Sequence, residues 1–248
     1  MVEKLIEKSE SSSYEICNQE FIMVSYSLYE NVTGSLFSYT RTQVLTLAAF
    51  GLERLWKMFY DWTKTEGDAL LYQRPISFRQ RTRNILDFLW EQIENGPKIN
   101  SHGKEHDSLL DFINAACDEN DAPDVDMGTG RPLLDMMFSG VHCFFYEIDA
   151  ESYASSCITA YASYLDDILH DRYYDKCKES VSIQEVSQRD KAKLLDMEID
   201  AAIAEDPLWK KELERIQQDF LLVKNHSNDI ERLHKRKIEI QQMDYISA

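Results

Sequence analysis

Chain-reversing residues are scarce in this sequence. Five prolines and eight glycines serve 248 residues, too few for a fold of many short strands, each needing a turn at its ends. Between the sparse breaks run long stretches rich in Leu, Ala, Glu, Lys and Gln, the residues that lose least on entering a helix. Apolar residues make up 44% of the chain, enough for a globular core and against wholesale disorder. The expected fold class is all-α, a compact multi-helix bundle of about eight or nine helices.

The strongest helical period lies from Arg41 to Thr63. There Val44, Leu45, Leu47, Ala48, Leu52, Leu55, Trp56 and Phe59 recur at three- and four-residue spacing, the mark of a buried face. Before it, a helix over 13–31 is expected to be broken by Gly34. After it, apolar periods predict helices over 78–93, 108–117 and from Pro132 through Phe145, with Asn95-Gly96-Pro97 and the Asp118–Arg131 stretch as loops. A long helix follows Asp149, burying Tyr153, Cys157, Ile158, Tyr161, Leu165, Ile168 and Leu169, ahead of a polar link near Ser180. Helices over Val186–Ala204, Leu208–Lys224 and Asn228–Gln242 complete the set, the second opened by Asp206-Pro207 as cap and first-turn proline. The organisation expected is an N-terminal extension over 1–40, with one helix packed on the domain, and one continuous all-α domain over 41–248.

Charge is unevenly spread. Lys and Arg number 27 against 44 Asp and Glu, a formal charge of −17, and the stretch Glu105–Asp175 holds sixteen acidic residues against only Arg131 and Arg172. Such a concentration repels nucleic acid and anionic membranes and draws basic protein faces. A basic protein partner is therefore expected, a toxin domain being one form of it; nucleic acid and membranes are not. Tyrosines beside carboxylates are interface composition. The candidate partner-binding residues are Asp118, Glu119, Asp121, Asp124 and Asp126, then Tyr164, Asp166, Asp167, Asp171 and Tyr174. No window reaches the roughly 18 apolar residues of a membrane span, and Met1–Lys8 lacks the apolar run of a signal peptide. Five widely spaced cysteines without a CxxC pair suit a reducing compartment. The expected location is cytoplasmic.

Metal chemistry is suggested at several places and fails at each. Asp166-Asp167-x-x-His170-Asp171 sets carboxylates one helical turn apart, as Asp-rich helices do around magnesium diphosphate. His170 stands where a last carboxylate is needed, and the echo at Asn228-Asp229 meets Arg232 and Arg236 at positions that need Ser or Thr and Glu. Asp167-x-x-His170 and Glu231-x-x-His234 match the carboxylate–imidazole unit of di-iron bundles. Glu231 and His234, however, lie in a basic run with Arg232, Lys235, Arg236 and Lys237, which reads as a solvated helix and opposes a cation. His102 with His106 and Asp124 with Asp126 lack the geometry or the glycine of a metal loop. No catalytic residue, metal or cofactor is expected. A metal-dependent helical enzyme on Asp166, Asp167 and His170, or a regulatory homo-oligomer, are the alternatives to protein binding. Glu53 and Arg54 sit inside the apolar helix and must pair or reach water, since isolated buried charge is costly. Arg74, Arg79, Arg81 and Arg83 form a basic run opposite in sign to the acidic middle, expected to dock against that stretch within the fold or to form part of a charged surface.

Two further segments carry a resemblance. Ala48-Ala49-Phe50-Gly51-Leu52-Glu53-Arg54 precedes Leu86-Asp87-Phe88-Leu89-Trp90-Glu91, and Glu205-Asp206-Pro207 leads into a Glu- and Gln-rich helix and a shorter one through Asp229 and Arg232. This order resembles the YjaG-like family of bacterial helical proteins, long filed as a domain of unknown function, over residues 41–245. That family often has Pro and Tyr soon after Glu-Arg, where this chain continues Leu55-Trp56-Lys57-Met58-Phe59. The resemblance implies an all-α bundle in a bacterial cytoplasm and carries over no catalytic residue. The leading expectation is an acidic protein-binding protein, concretely an immunity protein that neutralises a basic, nuclease-type toxin.

Overall fold

A computed structural model describes residues 25–65, 83, 86–87, 89–95, 150–182 and 187–243. These are helical apart from short links, with no strand among them, so the fold class is all-α. The helices are α1 (Ser25–Leu36), α2 (Arg41–Thr65), α3 (described at 83, 86–87 and 89–95), α4 (Ala150–Ser182), α5 (Gln188–Glu205), α6 (Pro207–His226) and α7 (Ile230–Gln242). The described residues thus hold seven helices, where the sequence predicts eight or nine over the whole chain. The helices expected over 108–117 and from Pro132 lie outside the described residues. No helix among the described residues is long and apolar enough to cross a membrane.

Local sequence explains where these helices begin. Thr40 and Gln43 form a reciprocal capping box at α2: the Gln43 amide donates to Thr40 Oγ1 at 3.4 Å and the Thr40 amide to Gln43 Oε1 at 2.9 Å. Ser187 Oγ accepts from the Asp190 amide to open α5. Asp206 caps α6 as its Asp-Pro sequence predicts, with Oδ1 accepting from the Leu208 amide at 2.7 Å. Asp229 does the same for α7 through the Arg232 amide. Gly34 departs from expectation. Helix α1 continues through it to Leu36, with Gly34 exposed in the last turn and nothing within 4 Å of where a Cβ would stand. A glycine stops a helix only when the following backbone turns away, and here it does not.

The chain divides into two compact units, Met1–Tyr39 with Ala162–Gln218, and Thr40–Tyr161 with Asp219–Ala248. In the first, Leu28, Val32 and Leu36 of α1, Leu165, Leu169 and Cys177 of α4, Ile199 and Ile203 of α5, and Trp209 and Ile216 of α6 are buried. In the second, α2 is buried on every side from Val44 to Leu55, as a central helix must be. Gly51 is where α4 crosses it: a Cβ there would stand 2.2 Å from the Cys157 carbonyl oxygen. Two backbones meet at that point, and no flexible side chain can give way.

The two glycines therefore separate cleanly. Gly51→Ala is expected to cost about 1–3 kcal/mol through overpacking, whereas Gly34→Ala is expected to be neutral or to gain up to about 1 kcal/mol from helix propensity. Urea denaturation of the two variants checks both.

Candidate functional site

The expected partner-binding residues fall into two groups. Asp118, Glu119, Asp121, Asp124 and Asp126 lie outside the described residues. Tyr164, Asp166, Asp167, Asp171 and Tyr174 lie on α4, within the first unit. Consecutive helical residues diverge by about 100°, and the structure divides Asp166 from Asp167 accordingly. Asp167 and Asp171 are exposed, while Tyr164 and Asp166 are half-buried. The surface stripe is thus Asp167, His170, Asp171 and Tyr174, at one-turn spacing. The His170 ring stands 6.0 Å from that of Tyr174, and its Nδ1 is 3.9 Å from Asp171. Lys178 Nζ lies 5.3 Å over the same tyrosine.

Helix α5 extends this acidic surface. Asp196 and Asp200 are exposed on it, and the Asp200 carboxyl is held above the usual aspartate range, first by partial desolvation and then by the neighbouring charge of Asp196. His170 pulls it the other way. Arg172, which follows Asp171 directly, is committed elsewhere. Its Nη1 donates to buried Asp206 Oδ2 at 3.3 Å, and the Tyr173 hydroxyl donates to the same oxygen at 2.7 Å. That hydrogen bond to Asp206 is the main reason the Tyr173 hydroxyl titrates above its ordinary value. The cation nearest the stripe in sequence thus anchors the start of α6.

No group of three or more His, Cys, Asp or Glu side chains that could hold a metal ion occurs among the described residues. Neither motif suggested by the sequence assembles one. His234 Nε2 meets Glu94 Oε1 of α3 at 2.6 Å, and its partner is not Glu231 on its own helix. Asp229 is spent on capping α7. The basic run on α7 also departs from the expected solvated helix: Leu233, Arg236 and Ile240 are buried, and Lys237 is half-buried.

Those inward cations belong to a network in the second unit that the spacing of the residues did not reveal. Arg83 grips the fully buried Glu53 carboxylate with two hydrogen bonds of 2.8 Å. Trp90 Nε1 and Gln241 Nε2 add two more at 2.9 and 2.8 Å, so each carboxylate oxygen accepts two. Arg83 also donates to Asp87 Oδ1 at 2.6 and 2.9 Å, and its guanidinium is held above its ordinary pKa by these partners despite burial. Arg54 is paired with buried Asp219, whose other oxygen accepts from Arg236 Nε at 2.6 Å. The sequence requirement that Glu53 and Arg54 pair or reach water is met by pairing. Arg83 docks on Glu53 and Asp87, which lie outside the acidic stretch Glu105–Asp175 expected to receive it; Arg74, Arg79 and Arg81 lie outside the described residues.

No family model, curated protein or solved structure matches this chain.

Glu53→Gln places an amide NH2 where two donors already converge, and the expected loss is about 3–5 kcal/mol, as for other broken buried pairs. Asp87→Asn, at an exposed partner of the same arginine, is expected to cost less than about 1 kcal/mol; chemical denaturation separates the two. A second expectation concerns Asp200. The folded protein holds its proton more tightly than the unfolded chain, so its contribution to stability falls as pH rises through the interval just above about 3.9, the ordinary aspartate value. Carboxyl-detected NMR should find Asp200 titrating above that value, moving part of the way back in Asp196→Asn.

Proposed function

We propose that this is an acidic protein-binding protein of the bacterial cytoplasm that docks a basic protein partner through the carboxylates of α4 and α5. Its concrete form is an immunity protein that occupies the cationic nucleic-acid site of a nuclease-type toxin. The observation that carries this reading is the set of exposed carboxylates Asp167, Asp171, Asp196 and Asp200 on two helices of one unit, with Asp200 near enough to feel both Asp196 and His170. Like charges gathered on a surface cost some stability and do nothing for packing. A face that keeps Asp167, Asp171, Asp196 and Asp200 exposed gains steering and selectivity toward a basic surface in return. Tyr174 adds a partly exposed aromatic ring to the same stripe, the amphipathic anchor that interfaces favour.

General acidity would also attract cations, so the experiment must hold net charge fixed. Binding of a basic reporter, cytochrome c, is compared between two fourfold variants. One carries Asp167→Asn, Asp171→Asn, Asp196→Asn and Asp200→Asn. The other neutralises Glu30, Glu91, Glu214 and Glu231, all exposed and none on the stripe. The first is expected to lose at least about tenfold in affinity and most of its salt dependence between about 0.05 and 0.5 M, the second much less. Equal losses in the two variants would sink the assignment to this face. A nuclease toxin encoded beside the gene, inhibited by the wild-type protein and not by the first variant, would identify the partner.

A further inference from the structure

A cleft of about 550 Å³ opens in the second unit against the Glu53 network. Its walls include Trp56 and Tyr60 of α2, Arg83 and Asp87 of α3, and Lys237 and Ile238 of α7. The volume is in the range of small-molecule sites. One side is aromatic: the Trp56 and Tyr60 rings stand 5.9 Å apart. Tyr60 and Ile238 are among the few exposed large hydrophobic side chains of the described residues, so the cleft offers apolar surface that is still wet.

The polar side of the cleft has donors to spare and few acceptors. Glu53 is saturated by Arg83, Trp90 and Gln241, and Asp87, largely exposed, gives its Oδ1 to Arg83. Lys237 is different. Its side chain is only 18% exposed, yet among the described residues its ammonium makes no hydrogen bond. The nearest carboxylate oxygens, on Glu53 and Asp87, stand 3.8 and 3.9 Å away, and the Trp90 ring centroid lies 4.9 Å off. Burial pushes its pKa down, against the pull of Glu53. A half-buried ammonium with three N–H donors asks for an acceptor that the neighbouring side chains do not supply. A cationic guest does not fit: Lys237 repels it, and the Arg83 guanidinium already stands 6.0 Å over the Trp56 ring. A long polyanion is repelled by the net charge of −17.

We propose that this cleft binds a small organic anion, a flat aromatic or heteroaromatic ring carrying one carboxylate or phosphate. The anionic group takes its hydrogen bonds from Lys237, and the ring lies against Trp56, Tyr60 and Ile238. Lys237 is the specificity-determining residue, and the site is independent of the acidic face of the first unit.

The test uses the full chain and three probes that combine ring and anion: indole-3-acetate, 4-hydroxybenzoate and adenosine 5′-monophosphate. Indole, phenol, adenosine, acetate and inorganic phosphate serve as the parts, with calorimetry and saturation-transfer NMR as readouts. At least one probe is expected to bind below about 1 mM, and its ring or anion alone at least about tenfold more weakly. Lys237→Met, which keeps the stem length and removes the charge, is expected to lose at least about tenfold in affinity with an unchanged unfolding midpoint. In the wild-type protein the bound probe should protect the Lys237 amine from acetic anhydride, mapped by mass spectrometry, which needs no variant to fold. The proposal is overturned if no probe binds below that level, if inorganic phosphate or acetate binds as tightly as the ring-bearing anion, if Lys237→Met binds as well as wild type, or if Lys237 is acetylated equally with and without the probe.

Discussion

A carboxylate with no access to water lies near the middle of α2, and the second unit is arranged around its needs. Glu53 has four acceptor positions, and all are filled: two by Arg83, one by Trp90, one by Gln241. The first two residues belong to α3 and the last to α7. Arg54, the next residue, leaves the helix about 100° away and ties down Asp219 of α6, which in turn holds Arg236 of α7. Two consecutive charges thus specify the places of three other helices. Burial of charge seldom adds net stability over a well-packed apolar core, but an unmatched charge is severely penalised, so alternative packings of these helices are excluded.

Both units bury paired charge, and the first also keeps an exposed acidic face. In the second, ions are withdrawn from water and matched at hydrogen-bonding distance, where salt has little effect. In the first, Asp167, Asp171, Asp196 and Asp200 of α4 and α5 remain on the surface; buried Asp206 is satisfied by a backbone amide, a tyrosine and an arginine, and buried Glu212 accepts from Arg215 at 3.4 Å. Added salt therefore acts on the first unit's surface far more than on the second unit's interior. The half-buried Lys237 is intermediate, an ion whose neighbours neither hydrogen-bond it nor leave it fully hydrated.

Local chemistry was legible and long-range chemistry was not. The apolar period of α2 and the Asp206-Pro207 start of α6 need only neighbouring residues, and both are where the sequence predicts them. Gly34 misled because a helix stop depends on the backbone that follows and not on the glycine itself. That Glu53 and Arg54 must be compensated follows from their apolar surroundings. Which residues compensate them does not, because Arg83 is 30 positions away and Asp219 is 165. The basic run of α7 was read by composition as solvated. Its spacing of Leu233, Arg236, Lys237 and Ile240 forms a one-turn stripe that carries two cations inward, and that spacing was the available signal. On α4, the same angular reasoning separates exposed Asp167 from half-buried Asp166, which a count of carboxylates cannot do.

Helix α4 carries Cys157 in the second unit and Cys177 in the first, both buried thiols outside any disulfide. The Cys157 backbone lies at the crossing with Gly51, and its side chain is buried. A thiol is modified only when it is uncovered, so each cysteine acts as a clock for the opening of its own unit. Matching labelling rates would mean that one uninterrupted helix transmits opening as a single cooperative event; separate rates would mean that it hosts two.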